Sequence, residues 1–281
     1  MRAYPRLQTR ARNTKEVGME LGLSGKVAII CASSEGLGKA SALALAREGA
    51  KLVICSRREK AIQDTAKEIE RISGAEVHPV VADVSVGSDV VNLVKEAVRR
   101  FGTVHVLVNN AGGPPTGDIH SLSDEQWQKA HDLTLMSVVR TTREVLPLMT
   151  RQGWGRIITI VSFVAKQPAD ELMLSVSIRP GILGLSKILS NQYAKNNITV
   201  NTVCPGNIFT KRQEELSLTR AAGRKMSVED YIAGQTKNIP AGRYGKPEEV
   251  GEVVAFLASE RASYISGVNL LVDGGLAKGI H

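Results

Sequence analysis

Two glycines and two arginines carry the first chemistry legible in this chain. The stretch Cys31-Ala-Ser-Ser-Glu-Gly-Leu-Gly38 follows a short apolar run and leads straight into a helical pattern. A turn of that kind aims backbone N–H groups and the positive end of a helix dipole at a pyrophosphate. Gly36 and Gly38 let the phosphate come close to the backbone, and Ser33, Ser34 and Leu37 complete the candidate cofactor-binding turn. A bare Gly-x-Gly is often only a tight turn. Here strand, turn, helix and second strand follow in order, which makes it a dinucleotide signal. The second strand ends in Cys55-Ser56-Arg57-Arg58, where a carboxylate for the adenosine ribose hydroxyls is usual. Arg57 and Arg58 are suited instead to a 2′-phosphate, which favours NADP over NAD. The alternative is two solvated arginines at the start of a helix.

These residues need a scaffold, and the rest of the chain supplies its pattern. Short β-branched runs alternate with longer stretches of helical period, the signature of a parallel sheet with crossover helices. Strands are expected at Val27–Cys31, Lys51–Cys55, Val77–Val81, Val104–Asn109, Gly155–Val161, Thr199–Cys204 and Asn269–Val272. Helices are expected over about 36–48, 59–72, 88–101, 124–149, 182–195 and 247–259. The fold class is therefore α/β: a single-domain Rossmann fold with a doubly wound, seven-stranded parallel sheet and helices on both faces. Residues 207–240 break the rhythm and read as a helical insertion over a site.

Composition narrows the function classes. At 281 residues the chain suits one α/β domain, and no apolar run approaches the roughly 18 residues that cross a bilayer. The three cysteines, Cys31, Cys55 and Cys204, sit in apolar runs without metal-site spacing, so no metal is expected and a reducing cytoplasm fits. Half of the net charge of +8 comes from Arg2, Arg6, Arg10, Arg12 and Lys15 set against Glu16. Residues 1–18 read as a flexible basic extension before a domain spanning 19–281. Beyond them, basic and acidic residues interleave along helical stretches, which argues against nucleic acid as a partner.

Further stretches, from about Leu21 to Gly275, resemble the short-chain dehydrogenase/reductase family, in particular its 3-oxoacyl-carrier-protein reductase-like members. Asp83 with Val84 looks like the family's adenine contact, and Asn109-Asn110-Ala111-Gly112 like its stretch beside the cofactor. Pro205-Gly206, with Ile208 and Thr210, is similar to the segment that holds the nicotinamide carboxamide. Gly242-Arg243, Gly245-Lys-Pro-Glu-Glu249, Phe256-Leu-Ala-Ser259, Gly267 and Val272-Asp-Gly-Gly275 resemble its C-terminal signature. The family's usual Thr-Gly pair is Cys31-Ala32 here, and Ala32 is small enough for the turn to survive. The resemblance implies carbonyl reduction and a homotetramer with the 124–149 helix and the one after Arg179 at a subunit interface.

The resemblance also shows where the chemistry departs. Family members reduce carbonyls with Ser, Tyr and Lys, plus an Asn that anchors a proton-relay water. Ser162 falls at the serine position, at the end of Gly155–Val161, but the Asn position is Thr134. The Tyr and Lys positions are Ser175 and Arg179, and no tyrosine occurs between Tyr4 and Tyr193. A serine hydroxyl has no accessible anion at neutral pH, and arginine stays charged and cannot relay protons as lysine does. Ser162, Ser175, Arg179 and Thr134 are thus the candidate catalytic set, with Arg179 also a candidate for the ribose or an anionic substrate. Pro180 and Gly181 predict that the helix starts at Pro180, leaving Phe163 to Arg179 as a loop.

Substitute acids are Lys166, Asp170, Glu171 and His131, each with a plain reading as a loop charge or packed residue. A water held by Ser162 and Ser175 is a further option. The first functional expectation is an NADP(H)-dependent oxidoreductase of a small carbonyl or alcohol with a non-standard proton donor. The alternatives are a dinucleotide-binding sensor or partner subunit without ordinary turnover, and a non-redox lyase or isomerase. Lys211, Arg212, Arg220, Arg224 and Lys225 point to an anionic substrate, unless they are solvated helix charge.

Overall fold

Val27–Ile30 (β1) is a run of four apolar residues, and all four are buried, as a strand covered on both faces must be. The computed structural model describes residues 20–170 and 172–279. The extension 1–18 and Glu171 lie outside the described residues. After β1 come α1 (Gly36–Arg47), β2 (Lys51–Ser56), α2 (Glu59–Ser73), β3 (Val77–Val81), α3 (Gly87–Phe101) and β4 (Val106–Asn109). The second half holds α4 (Asp124–His131), α5 (Ser137–Gln152), β5 (Gly155–Ile160), α6 (Met173–Tyr193) and β6 (Ile198–Pro205). It ends with α7 (Lys211–Gly223), α8 (Val228–Thr236), α9 (Pro247–Ala258) and β7 (Asn269–Val272).

All strand pairings are parallel, and the order is β3-β2-β1-β4-β5-β6-β7. Between β1 and β4 the direction of winding reverses, which opens a crevice beyond the carboxyl ends of the strands. Side chains alternate accordingly. Ala28 and Ile30 join the core under α1, α2 and α9, whereas Ile29 and Cys31 join the one under α3 and α5. This doubly wound sheet is the α/β architecture the strand and helix pattern predicts.

Two helices differ from expectation, and both differences bear on the site. The expected 124–149 helix is interrupted by a π-helical turn, Asp132–Met136, with Thr134 at its centre. Its flanks are tied by Arg140, which pairs with Asp132 at 2.9 Å. The second difference is a correction: Ser175 and Arg179 are not in a loop, because α6 begins at Met173 and runs straight through Pro180. Proline inside a helix costs about 3 kcal/mol. Leu174, Ile178 and Ile182, at 0%, 9% and 1% exposure, each recover roughly 1.5–3 kcal/mol by burial, so packing outweighs the break. Pro180 itself lies on the exposed side of α6.

Candidate active site

The cleft beyond the strand ends has a volume of about 630 Å³. Its wall includes Ser34, Gly36, Leu37, Arg57, Arg58, Asp83 and Val84 from the first half of the chain. Asn110, Ala111 and Gly112, after β4, and Gly206, Ile208 and Thr210, after β6, also line it. The turn that opens it is tightly wound. Gly36 takes φ +58°, and a Cβ on Gly38 would lie 2.4 Å from the Ala32 carbonyl oxygen. Ala32 itself sits at φ +46°, a left-handed conformation uncommon outside glycine. Asn110 Nδ2 donates to the Ala32 carbonyl at 3.1 Å, and Thr65 Oγ1 to that of Ser34 at 2.9 Å.

Four of the expected cofactor residues sit off this wall: Ser33, Gly38, Pro205 and Arg179. Ser33 is fully buried; its hydroxyl donates to the Ile30 carbonyl at 2.8 Å and accepts from the Cys55 N–H at 3.2 Å. It stitches β1 to β2 and has nothing left for a phosphate. Gly38 acts by lacking a side chain, and Pro205 is buried in β6, paired in register with Val272.

One end of the cleft gathers two hydroxyls and two guanidinium groups. Ser34 Oγ and Ser56 Oγ are 3.1 Å apart, Arg58 N donates to Ser56 Oγ at 3.2 Å, and Arg58 Nη2 to Ser34 Oγ at 3.4 Å. Arg58 also pairs with Glu35 at 2.9 Å, and Arg57 lies 3.7 Å from Asp83. Ser56 is not among the residues the sequence singles out; its one local signal is a hydroxyl directly before an arginine pair. Lys211, Arg212 and Gln213, the first turn of α7, line the cleft as well. Thr210 caps that helix, and its side chain stands 3.7 Å from where a Cβ on Gly36 would be. The insertion therefore faces the glycine turn across the cleft.

Ser162 follows β5, is half-buried and is not among the residues lining the cleft; its hydroxyl accepts from Val164 N at 3.3 Å. Ser175 and Arg179 are both buried, one helical turn apart on the inner side of α6. Arg179 Nη1 donates to the Val161 carbonyl, next to Ser162, while its Nε has no partner. Burial pushes the guanidinium down to about 10, so it remains a cation at neutral pH. Burial also raises the Cys204 thiol. Arg179 does not line the wide cleft; it lines a smaller cavity with Thr134, behind Val84, Asn110 and Ala111.

The substitute acids are not gathered at one point. Asp170 is exposed, His131 is half-buried at the end of α4, and Lys166 is half-buried just after the 3-10 turn Phe163–Ala165. The Lys166 charge favours the Cys204 thiolate, against the burial that raises the thiol. Among the described residues there is no cluster that would hold a metal ion.

A topological switch point, a glycine turn into a helix and paired arginines at the second strand define a dinucleotide-binding α/β protein. The profile of a family described as enoyl-(acyl carrier protein) reductase matches residues 31–277. The 3-oxoacyl-[acyl-carrier-protein] reductase of Thermotoga maritima is 33% identical over 254 residues, covering 90% of this chain and 98% of the relative. The L-sorbose reductase of Gluconobacter frateurii, solved with NADPH and L-sorbose, superimposes with a TM-score of 0.90 at 33% identity, covering 93% of this chain and 100% of that one. An actinorhodin polyketide ketoreductase solved with NADPH gives 0.87 at 34% identity, covering 90% and 98%. The chain belongs to the short-chain dehydrogenase/reductase family.

Proposed function

We propose that the protein is an NADPH-dependent reductase of small carbonyl compounds, in the cytoplasm, whose proton donor is not the family's tyrosine. The observation that carries this reading is a cleft lined by the glycine turn, Ser34, Ser56, Arg57 and Arg58, with Ser162 at the end of β5 in the same sheet. The cleft residues fit the dinucleotide: Gly36, Leu37 and the start of α1 would hold the pyrophosphate, and Ser34, Ser56, Arg57 and Arg58 the 2′-phosphate. Asp83 and Val84 would meet the adenine, and Gly206, Ile208 and Thr210 the carboxamide. When bound, the nicotinamide supplies a hydride. The named reductases at 33–34% identity support the same class.

The chain's own residues divide the remaining work. The Ser162 hydroxyl donates to the substrate oxygen and fixes its position. Arg179, a cation beside the Val161 carbonyl, lowers the free energy of negative charge developing near Ser162. Ser175 stands where the resemblance places the acid but is too short and too weakly acidic to replace it. Lys211 and Arg212 line the cleft and would hold the dinucleotide's phosphates, so part of the insertion's positive charge would serve the cofactor rather than an anionic substrate. The assembly is taken to be a homotetramer through α4, α5 and the helix after Arg179, and light scattering tests it.

The experiment is NADPH oxidation measured over a panel of 3-oxoacyl, ketone and sugar substrates, with Ser162→Ala beside the wild type. Turnover that falls about 100-fold or more in the variant supports the reading. NADPH binding without turnover on the whole panel refutes it in favour of a binding protein.

A further inference from the structure

Two of the three cysteines end neighbouring strands. β1 and β2 run in register from Val27 opposite Lys51 to Ile30 opposite Ile54, and one residue further the same register sets Cys31 beside Cys55. Backbone bonds hold the pair there: Cys31 N donates to the Val108 carbonyl at 3.0 Å, and Ser33 N to the Cys55 carbonyl at 2.9 Å. Both side chains enter the core under α3 and α5, and both are free, buried thiols. Neighbouring strands lie about 4.8 Å apart, inside the roughly 4.4–6.8 Å between Cα atoms that a disulfide spans. The Cys31 S–H donates to the Cys55 sulfur, which lowers the Cys55 thiol against its burial and pushes Cys31 well above the usual range. Cys55 therefore ionises first, and the thiolate is the nucleophilic form.

The dinucleotide cleft comes within one residue of both cysteines. Ala32 and Ser56, the next residues in the chain, line it, and Cys31 itself lines the small cavity behind Asn110 and Ala111. A dinucleotide covers that approach. Without one, local opening of the glycine turn admits a molecule as small as a peroxide.

We propose that Cys31 and Cys55 form a reversible disulfide when a hydroperoxide reaches a cleft that holds no dinucleotide, and that this bond weakens cofactor binding. The Cys55 thiolate attacks the hydroperoxide: an S–O bond forms as the O–O bond breaks, and the departing alkoxide takes up a proton and leaves as an alcohol. The Cys31 sulfur then attacks the Cys55 sulfur. An S–S bond forms as the S–O bond breaks, and the Cys31 proton leaves with the hydroxyl as water. Two thiols lose two electrons, and the hydroperoxide is reduced to alcohol and water. A disulfide sets its Cβ atoms about 3.8 Å apart, so closing it draws the strand ends together by roughly 1 Å. Ala32, already at φ +46°, and Ser56 move with them, and with them the glycine turn and the arginine pair. A cross-link closed against that packing is strained and so readily reduced.

The test treats the full-length apoprotein with hydrogen peroxide and counts thiols after unfolding. The count should fall from three to one, with a peptide cross-link joining Cys31 to Cys55 that dithiothreitol removes. NADP⁺ at about ten times its Kd leaves roughly a tenth of the clefts open and should slow the loss about tenfold. The cross-linked protein should bind NADPH about tenfold more weakly, and dithiothreitol should restore the affinity. Cys55→Ala should keep its two remaining thiols and its NADPH affinity through the same treatment. Cys204→Ala, in the separate cluster with Val138, Val161 and Ile182, should cross-link as the wild type does. Three thiols surviving in the apoprotein under peroxide that fully oxidises glutathione overturn the proposal, as does a cross-link that leaves NADPH affinity unchanged or forms equally fast with NADP⁺ bound. The switch requires dinucleotide binding and no turnover, so the thiol count decides it whether or not the protein reduces a carbonyl.

Discussion

Arg58→Ala probes the cofactor assignment through a single guanidinium. In the structure Arg58 lies 2.9 Å from Glu35, and the two side chains are 57% and 54% exposed. An ion pair so open to water contributes at most about 1 kcal/mol, so Arg58 is readily released to a better anion. A charge-assisted hydrogen bond from it to a 2′-phosphate contributes about 1.5–3 kcal/mol. The difference, about 0.5–2 kcal/mol, corresponds to a rise in the NADPH Kd of roughly 2- to 30-fold. NADH has no 2′-phosphate, so its Kd should stay within about twofold. Glu35→Gln removes the competitor and should tighten NADPH by no more than about fivefold, the same 1 kcal/mol read in reverse. Fluorescence titration of both nucleotides at low and high salt measures all three, and salt should weaken NADPH binding more than NADH binding. Equal loss of NADH and NADPH affinity in Arg58→Ala would show that the arginine shapes the cleft without reading the phosphate, and the assignment would fall.

Gly38→Ala puts a Cβ 2.4 Å from the Ala32 carbonyl oxygen and 2.8 Å from Ser33 Cα, both backbone, so the turn itself must move. Overpacking of that kind costs about 1–3 kcal/mol, and calorimetric titration should show NADPH binding lost; retained wild-type affinity would refute the close-packing role. Ala32→Gly should stabilise, since a left-handed alanine costs about 1–2 kcal/mol and glycine's extra chain entropy returns only about 0.5–1 kcal/mol; a lower Tm in the variant contradicts this. His105 Nδ1 accepts the Val27 N–H at 3.0 Å, and burial, with the Lys26 charge second, holds its pKa below the usual histidine range. The unfolded chain therefore binds this proton first, so the contribution is complete above a pH of about 6.5 and fades as pH falls below it. His105→Asn offers Oδ1 in place of Nδ1, and its urea midpoint should change less between pH 7.5 and 5 than the wild type's; equal changes would rule His105 out as the source.

Local pattern was enough for the turn at Cys31 to Gly38, because its signal is short-range: an apolar run, two glycines and a helical period within a few residues. The two arginines after β2 were legible for the same reason, since a strand end announces itself. Ser33 was misplaced because a side chain in a turn points to either face, and only the packing of β1 against β2 shows that its hydroxyl is spent between strands. The helix through Pro180 escaped for a different reason. Local rules weigh the lost hydrogen bond, whereas Leu174, Ile178 and Ile182 decide the outcome through contacts with distant parts of the chain.

The sequence by itself determined the glycine turn that opens the cleft, the arginine pair at the end of the second strand, and that the tyrosine and lysine expected by resemblance are Ser175 and Arg179. Residue types and near-neighbour spacing carry all of that. Tertiary structure alone decided what those substitutions mean. It placed Arg179 behind the cleft rather than in it, put Thr134 at the centre of a π-helical turn, and set their two unpaired polar atoms on one small cavity, although 45 positions separate them in the chain. Which groups share a cavity depends on how helices pack against a sheet, and no local spacing encodes that.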